Sequence, residues 1–160
     1  MTVNSSEDTY VKQDAPTATN GSSSQIFIME GSNNDRFIYL KFSVSGLSGK
    51  TVDSVKLRLK ENTGCSEGDQ NFNVYRVGTT SWNESTLCWN NKPTNDTTSL
   101  GSYDGYLLGD GEVIDIVLDR TYITEDGTYS LVLKPNGSCT NDSTFFSRLI
   151  IGNVSTTSSF

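Results

Sequence analysis

Seven side chains in the first sixty residues carry the chemistry this sequence can offer: Tyr10, Lys12, Tyr39, Lys41, Lys56, Arg58 and Lys60. They fall in three stretches, Asp8–Lys12, Arg36–Val44 and Val52–Lys60, in which apolar residues alternate with others. Successive strand side chains point to opposite sides, so Ile38, Leu40, Phe42 and Val44 share one face, while Tyr39 and Lys41 share the other with Phe37 and Ser43. On the same rule Tyr10 and Lys12 oppose Thr9 and Val11, and Lys56, Arg58 and Lys60 oppose Val55, Leu57 and Leu59. All seven are therefore expected outside the core, flanked by Arg36 and Arg148. Flat rings stack on sugar faces, and Lys or Arg pairs with carboxylates or sulfates. That chemistry is recognition of an acidic saccharide. The same residues also describe an ordinary solvated sheet face, where Lys and Arg discourage edge pairing, or a face covered by a neighbouring subunit. Residue type leaves the three readings open.

Turnover chemistry is missing. There is no histidine and no glycine loop of the phosphate-cradling kind. Carboxylates are plentiful but sit in turns, and alternation offers no pair facing across a groove as glycoside hydrolysis requires. An enzyme is not expected, nor is a cofactor. The turn residues Glu7, Asp8, Asn33, Asn34, Asp35, Asp104 and Asp110 are oxygen donors suited to a structural calcium ion, yet no loop has EF-hand spacing and no ligand set is assigned. Cys65, Cys88 and Cys139 form no CxxC pair. Without histidine they do not read as a zinc site. In a secreted chain they read as one disulfide and one thiol, with three pairings open.

Seven asparagines begin an Asn-X-Ser/Thr sequon: Asn4, Asn20, Asn83, Asn95, Asn136, Asn141 and Asn153. Most lie in expected loops, as acceptors must, so N-linked glycans are an expected partner. Ser and Thr together number 41 of 160 residues and the apolar fraction is 34%, which fits a polar-surfaced extracellular or cell-surface module. The length suits one domain with a real core. Net charge is −7, which argues against a nucleic-acid partner. The cations are concentrated early: residues 1–60 hold seven Lys/Arg against six Asp/Glu, and residues 61–160 hold five against thirteen. No apolar run is long enough to span a membrane. Met1-Thr2-Val3-Asn4 starts without a secretory signal, so a mature or trimmed form is expected.

The positioning elements are short strands at 8–12, 25–30, 36–44, 52–60, 72–77, 112–118, 128–133 and 145–154, with an irregular stretch at 81–93 and a single helical turn near 119–125. The pattern predicts an all-β domain over residues 8–154: one antiparallel β-sandwich or jelly roll of about nine strands. A polar arm at 1–7 precedes it and a polar tail at 155–160 follows.

Several segments recur together in one family: Asp8-Thr9-Tyr10-Val11, Asn20-Gly21-Ser22-Ser23, Tyr39-Leu40-Lys41-Phe42, Val55-Lys56-Leu57-Arg58-Leu59, Val74-Tyr75-Arg76-Val77, Trp82-Asn83-Glu84-Ser85-Thr86 with Trp89-Asn90-Asn91-Lys92-Pro93, and Phe146-Ser147-Arg148. In order and spacing the chain resembles the DNRLRE-type extracellular domain over residues 8–148. The resemblance implies a secreted jelly roll. One branch of that family is an alginate-binding carbohydrate-binding module that grips its polysaccharide with Lys and Arg on a sheet face; other members are structural or adhesive. The chain departs from the pattern after Arg148, where the closing glutamate and proline turn are replaced by Leu149-Ile150-Ile151-Gly152-Asn153-Val154. The last strand is thus expected either to merge with the previous one or to serve another copy. The primary expectation is a non-catalytic structural or adhesive subunit. It would assemble head-to-tail with copies of itself by lending a terminal strand, Leu149–Val154 or the Thr2-Val3 arm. The alternative is a carbohydrate-binding module for an acidic polysaccharide such as alginate.

Overall fold

The computed structural model describes residues 1–62, 68–109, 111–139 and 143–156. Cys65, Asp110 and Asn141 lie outside the described residues, as do the side chains of Cys139, Arg148 and Asn153. The chain is all-β, as its turn spacing predicts. Its strands are β1 (Thr2–Asn4), β2 (Glu7–Lys12), β3 (Ile26–Ile28), β4 (Arg36–Val44), β5 (Lys50–Glu61), β6 (Gly68–Val77), β7 (Asn95–Leu107), β8 (Val113–Leu118), β9 (Gly127–Cys139) and β10 (Ser143–Thr156). They form two antiparallel five-stranded sheets. Sheet A runs β1-β10-β5-β8 with β3 also on β10; sheet B runs β2-β4-β9-β6-β7.

The main core lies between the sheets. Ile38, Leu40, Phe42 and Val44 of β4 meet Val55, Leu57 and Leu59 of β5, Phe72 and Val74 of β6, and Leu131 and Leu133 of β9 in one buried cluster. Each such side chain contributes about 1.5–3 kcal/mol by leaving water, and the alternation that selects them is the one read from the sequence.

Both terminal strands are paired inside this fold. β10 is one continuous strand, paired with β5 from Phe145 opposite Glu61 to Thr156 opposite Lys50. Without a proline after Arg148, nothing interrupts its ladder. β1 pairs with β10 through Thr2 opposite Ile150, and the Met1 ammonium donates to the Ile151 carbonyl at 2.6 Å. The merged form of the last strand is the one adopted, and the two expected donor strands already have partners in their own chain.

The second face of β4 is also buried, which its alternation did not announce. Residues 78–94 fold back over the outside of sheet B as an arm. Trp82 and Leu87 of the arm pack with Val11, Phe37, Tyr39, Val77 and Val132 in a second buried cluster. β7 was not expected at all. Its sequence, Asn-Asp-Thr-Thr-Ser-Leu-Gly-Ser-Tyr-Asp-Gly-Tyr-Leu, lacks apolar alternation because it is an edge strand exposed along most of its length.

Candidate functional site

The structure divides the expected basic and aromatic face among three places. Tyr39 and Lys41 lie under the arm, 1% and 8% exposed. The Tyr39 hydroxyl donates to the Pro93 carbonyl at 3.0 Å, and burial pushes its pKa well above the ordinary phenol value. The Lys41 ammonium sits 4.4 Å from the Trp82 ring centroid, donates to the Trp82 carbonyl, and pairs with Glu7 at 2.6 Å. Lys41 is closed off by the arm, and Tyr39 reaches only the floor of a cleft beside it. Their types invite binding, but the apolar arm competes for the same surface and holds it.

Tyr10 and Lys12 are not on that face. Tyr10 lies opposite Ile38 and Lys12 opposite Arg36, which puts them on the interior side of sheet B, while Thr9 and Val11 face the arm. Alternation says that neighbours differ in face; only the pairing register says which face is which. Tyr10 packs on the main core with its ring 4.9 Å from Phe27, Arg36 lies over the same Phe27 ring at 5.7 Å, and Lys12 reaches Asp14 at 3.9 Å.

Lys56, Arg58 and Lys60 belong to sheet A, on the opposite side of the molecule. Arg58 grips Asp115 through two bonds of 2.6 and 2.7 Å. This guanidinium holds the Asp115 carboxyl below its usual range. Lys12, Lys41 and Arg58 thus all face carboxylates of their own chain.

Lys92 and Lys134 lie outside that set and, like Lys56 and Lys60 on the far sheet, form no ion pair among the described residues. Lys92 leaves the arm just after the 3-10 turn Trp89–Asn91, and Lys134 comes from β9. The turn is fixed by the Asn91 side chain, whose Oδ1 accepts from the Cys88 N–H at 2.7 Å and whose Nδ2 donates to the Thr86 carbonyl at 2.9 Å. Cys88, a disulfide candidate from the sequence, is a buried free thiol here. The turn sets Trp89 against Phe37 at 4.8 Å. The Lys92 ammonium lies 3.8 Å from the Trp89 ring centroid, and the Lys134 ammonium 4.9 Å from that of Phe37. Lys92, Lys134, Phe37, Tyr39, Pro93 and Asn95 border one cleft of about 330 Å³. Lys92 donates to the Trp89 carbonyl and Lys134 to Asn95 Oδ1. Among the described residues neither lysine forms an ion pair. Partial burial, then the charge of Lys134, lowers the pKa of Lys92. A pair of cations held on rings without counter-charge is a receptor for anionic groups on a molecule with apolar faces.

Two other cavities among the described residues lack this combination. One of about 270 Å³, near Arg76 and Tyr122, has Glu125 in its wall. One of about 340 Å³ beside Lys50 and Arg120 has no aromatic lining. Among the described residues no three carboxylates, cysteines or histidines converge to hold a metal. Asp8 accepts from Ser5, Asp35 from the Gly31 N–H, and Glu7 faces Lys41. Of the sequons, Asn4, Asn83 and Asn136 are exposed. Asn20 and Asn95 donate their amides to the Tyr10 and Asp96 carbonyls, so both are tied into the backbone.

Lys92 was within the tryptophan-rich block that carried the family resemblance, but Lys134 gave no signal. Its sequence neighbours Leu131-Val132-Leu133 read simply as a core strand. A Trp-X-X-Lys-Pro turn beside an aromatic-rich strand was the available clue.

Comparison with known proteins bears on what such a cleft serves. A segment of 61 residues, 36% of the chain, is 39% identical to a gellan lyase from Bacillus sp, and the chain spans only 2% of that relative's length. The match to a DNRLRE-type domain is not what the comparison returns; the carbohydrate-binding side of the resemblance is the compatible one. The profile of carbohydrate-binding module family 96 matches residues 1–148, and the chain belongs to that family.

Proposed function

We propose that this chain is a non-catalytic, extracellular module that binds an acidic polysaccharide through the Lys92–Lys134 cleft. The observation that carries this reading is the pairing pattern. Lys12, Lys41 and Arg58 face carboxylates of the chain itself and Lys56 and Lys60 stand on the far sheet, while Lys92 and Lys134 come together at one cleft, held on Trp89 and Phe37, with no ion pair among the described residues. Family membership supports carbohydrate as the ligand, and the lyase relative is itself named for a polysaccharide. The filament reading has less support, because both terminal strands are paired internally.

Isothermal titration or affinity electrophoresis against a uronate polymer and an uncharged glucan tests the reading. Binding to the uronate polymer alone, weakening as salt rises from 50 to 500 mM (roughly a threefold shorter screening length), is the expected result. Equal binding to the uncharged glucan would remove the proposal.

The lowered pKa of Lys92 gives a pH signature. The charged ammonium is the form that binds a carboxylate, so affinity is full where Lys92 is protonated. It falls as pH rises through the depressed pKa, earlier than an ordinary lysine would dictate. The groups that act on Lys92 are Lys134 and Cys88. Titrations from neutral to alkaline pH should show this early loss, and Lys92→Arg should move it to higher pH.

A further inference from the structure

Beyond the cleft, the outer face of sheet B continues from Lys134 of β9 across β6 and β7, and its character changes steadily along the way. Next to Lys134, whose ammonium is 5.9 Å from the Tyr75 ring, the Asn73 amide donates to the Tyr75 hydroxyl at 3.1 Å. Register then continues the face from Asn73 to Ser102, from Asn71 to Asp104 and from Asp69 to Tyr106. Phe72 and Tyr103, the intervening pair, are on the core side with their rings 5.5 Å apart, which fixes the assignment of faces. Tyr106 is 53% exposed, and Ser102, Asp104 and Asp69 are exposed as well. From β4 to β7 is three strand spacings, about 14 Å, room for several sugar rings in line.

The face therefore begins with two uncompensated cations, passes over amides and hydroxyls, and ends on an exposed ring beside two carboxylates. We infer that it is a graded track for a heteropolysaccharide. One uronate anchors at Lys92 and Lys134, neutral sugars lie over Asn73 and Tyr75, and a further neutral ring stacks on Tyr106. Asp69 and Asp104 repel a second negative sugar at that end. The selected ligand is a chain whose acidic residues are separated by neutral ones, in preference to an uninterrupted polyuronate. This rests on the acidic-polysaccharide reading above and narrows it. Amides and hydroxyls suit sugar hydroxyl groups, and unfavourable like-charge contacts are an effective route to discrimination.

The test uses the whole chain and two tetrasaccharides at one ionic strength: one with a single glucuronate among three neutral sugars, and one made of four uronates. The mixed tetrasaccharide is expected to bind about tenfold more tightly. The double variant Asp69→Asn, Asp104→Asn should raise affinity for the tetra-uronate and narrow that ratio, with its melting temperature unchanged because both side chains are exposed. Asn73→Ala should weaken the mixed tetrasaccharide several-fold while leaving the binding of free glucuronate as it was. Equal or tighter binding of the tetra-uronate by the natural chain, or a ratio indifferent to the double variant, would overturn the graded track and leave the acidic-polysaccharide reading standing. No binding of either oligosaccharide would take away that reading itself.

Discussion

Lys41→Ala is expected to lower the stability of the folded chain by about 3 kcal/mol, far more than Arg58→Ala. The ammonium has two neighbours that cannot do without it: the Glu7 carboxylate at 2.6 Å and the Trp82 carbonyl. The lysine side chain is only 10% exposed. Removing it leaves a carboxylate and a carbonyl facing a cavity under the arm, and a half-buried charge without a partner is the costly case. Glu7 is 23% exposed and recovers some hydration, which places the loss at the lower end of the range for buried pairs. The arm would feel it most. Trp82 also donates its indole N–H to Ser130 at 2.6 Å, and Asn83 donates to the second oxygen of Glu7, so the ion pair, the ring and the following residue are bound as one unit. A chain of this size should lose about 6–12 °C of melting temperature. Arg58→Ala is the control. That residue also grips a carboxylate, but in solvent, and its loss should hardly move the melting temperature. If the two substitutions proved equal, Lys41 would not be the anchor of the arm. A Lys41→Met, Glu7→Gln double-mutant cycle separates the pair's coupling from the packing of the lysine stem.

This contrast between Lys41 and Arg58 also shows what could be read from the sequence. Alternation correctly put Ile38, Leu40 and Phe42 on one side of β4 and Leu57 and Leu59 on one side of β5, because the core face of a strand is set by period 2 alone. The sandwich class followed from those periods and the turn spacing. The site did not, for two physical reasons. A strand's sequence says nothing about which sheet it joins, so Tyr39 with Lys41 and Lys56 with Arg58 looked like one surface although they are on opposite faces of the molecule. Nor does it say what will lie on top. The arm is an irregular segment whose apolar residues, Trp82, Leu87 and Trp89, have no period, and the surface it covers looks amphipathic until the arm is in place. Once it is, the aromatic face of β4 becomes the floor of a cleft, and the cations at its rim are those brought there by the arm and by β9.

Replacing both rim lysines, Lys92→Ala with Lys134→Ala, should therefore reduce affinity for an acidic polysaccharide at least about 100-fold. A charge-assisted hydrogen bond contributes about 1.5–3 kcal/mol, and each 1.4 kcal/mol is about tenfold in affinity, so two lost contacts reach that level without any change of fold. Folding should survive and even improve slightly, since each ammonium repels the other and Lys92 is partly desolvated. Loss of binding together with an unchanged or raised melting temperature would locate the site in the cleft. The single variants define the mechanism. Lys134→Met keeps an apolar stem over Phe37 and removes only the charge; it should lose most of the binding and most of the salt dependence together, because both come from the same ammonium. Lys92→Arg and Lys134→Arg keep the charge and should retain binding, with Arg also able to stack on Trp89 and Phe37. Lys56→Ala, on the far sheet, should bind as the natural chain does. If Lys56→Ala and not the rim variants abolished binding, the ligand face would be the outer side of sheet A, and the carboxylate-free pair on Trp89 and Phe37 would be an electrostatic cost the fold carries without return.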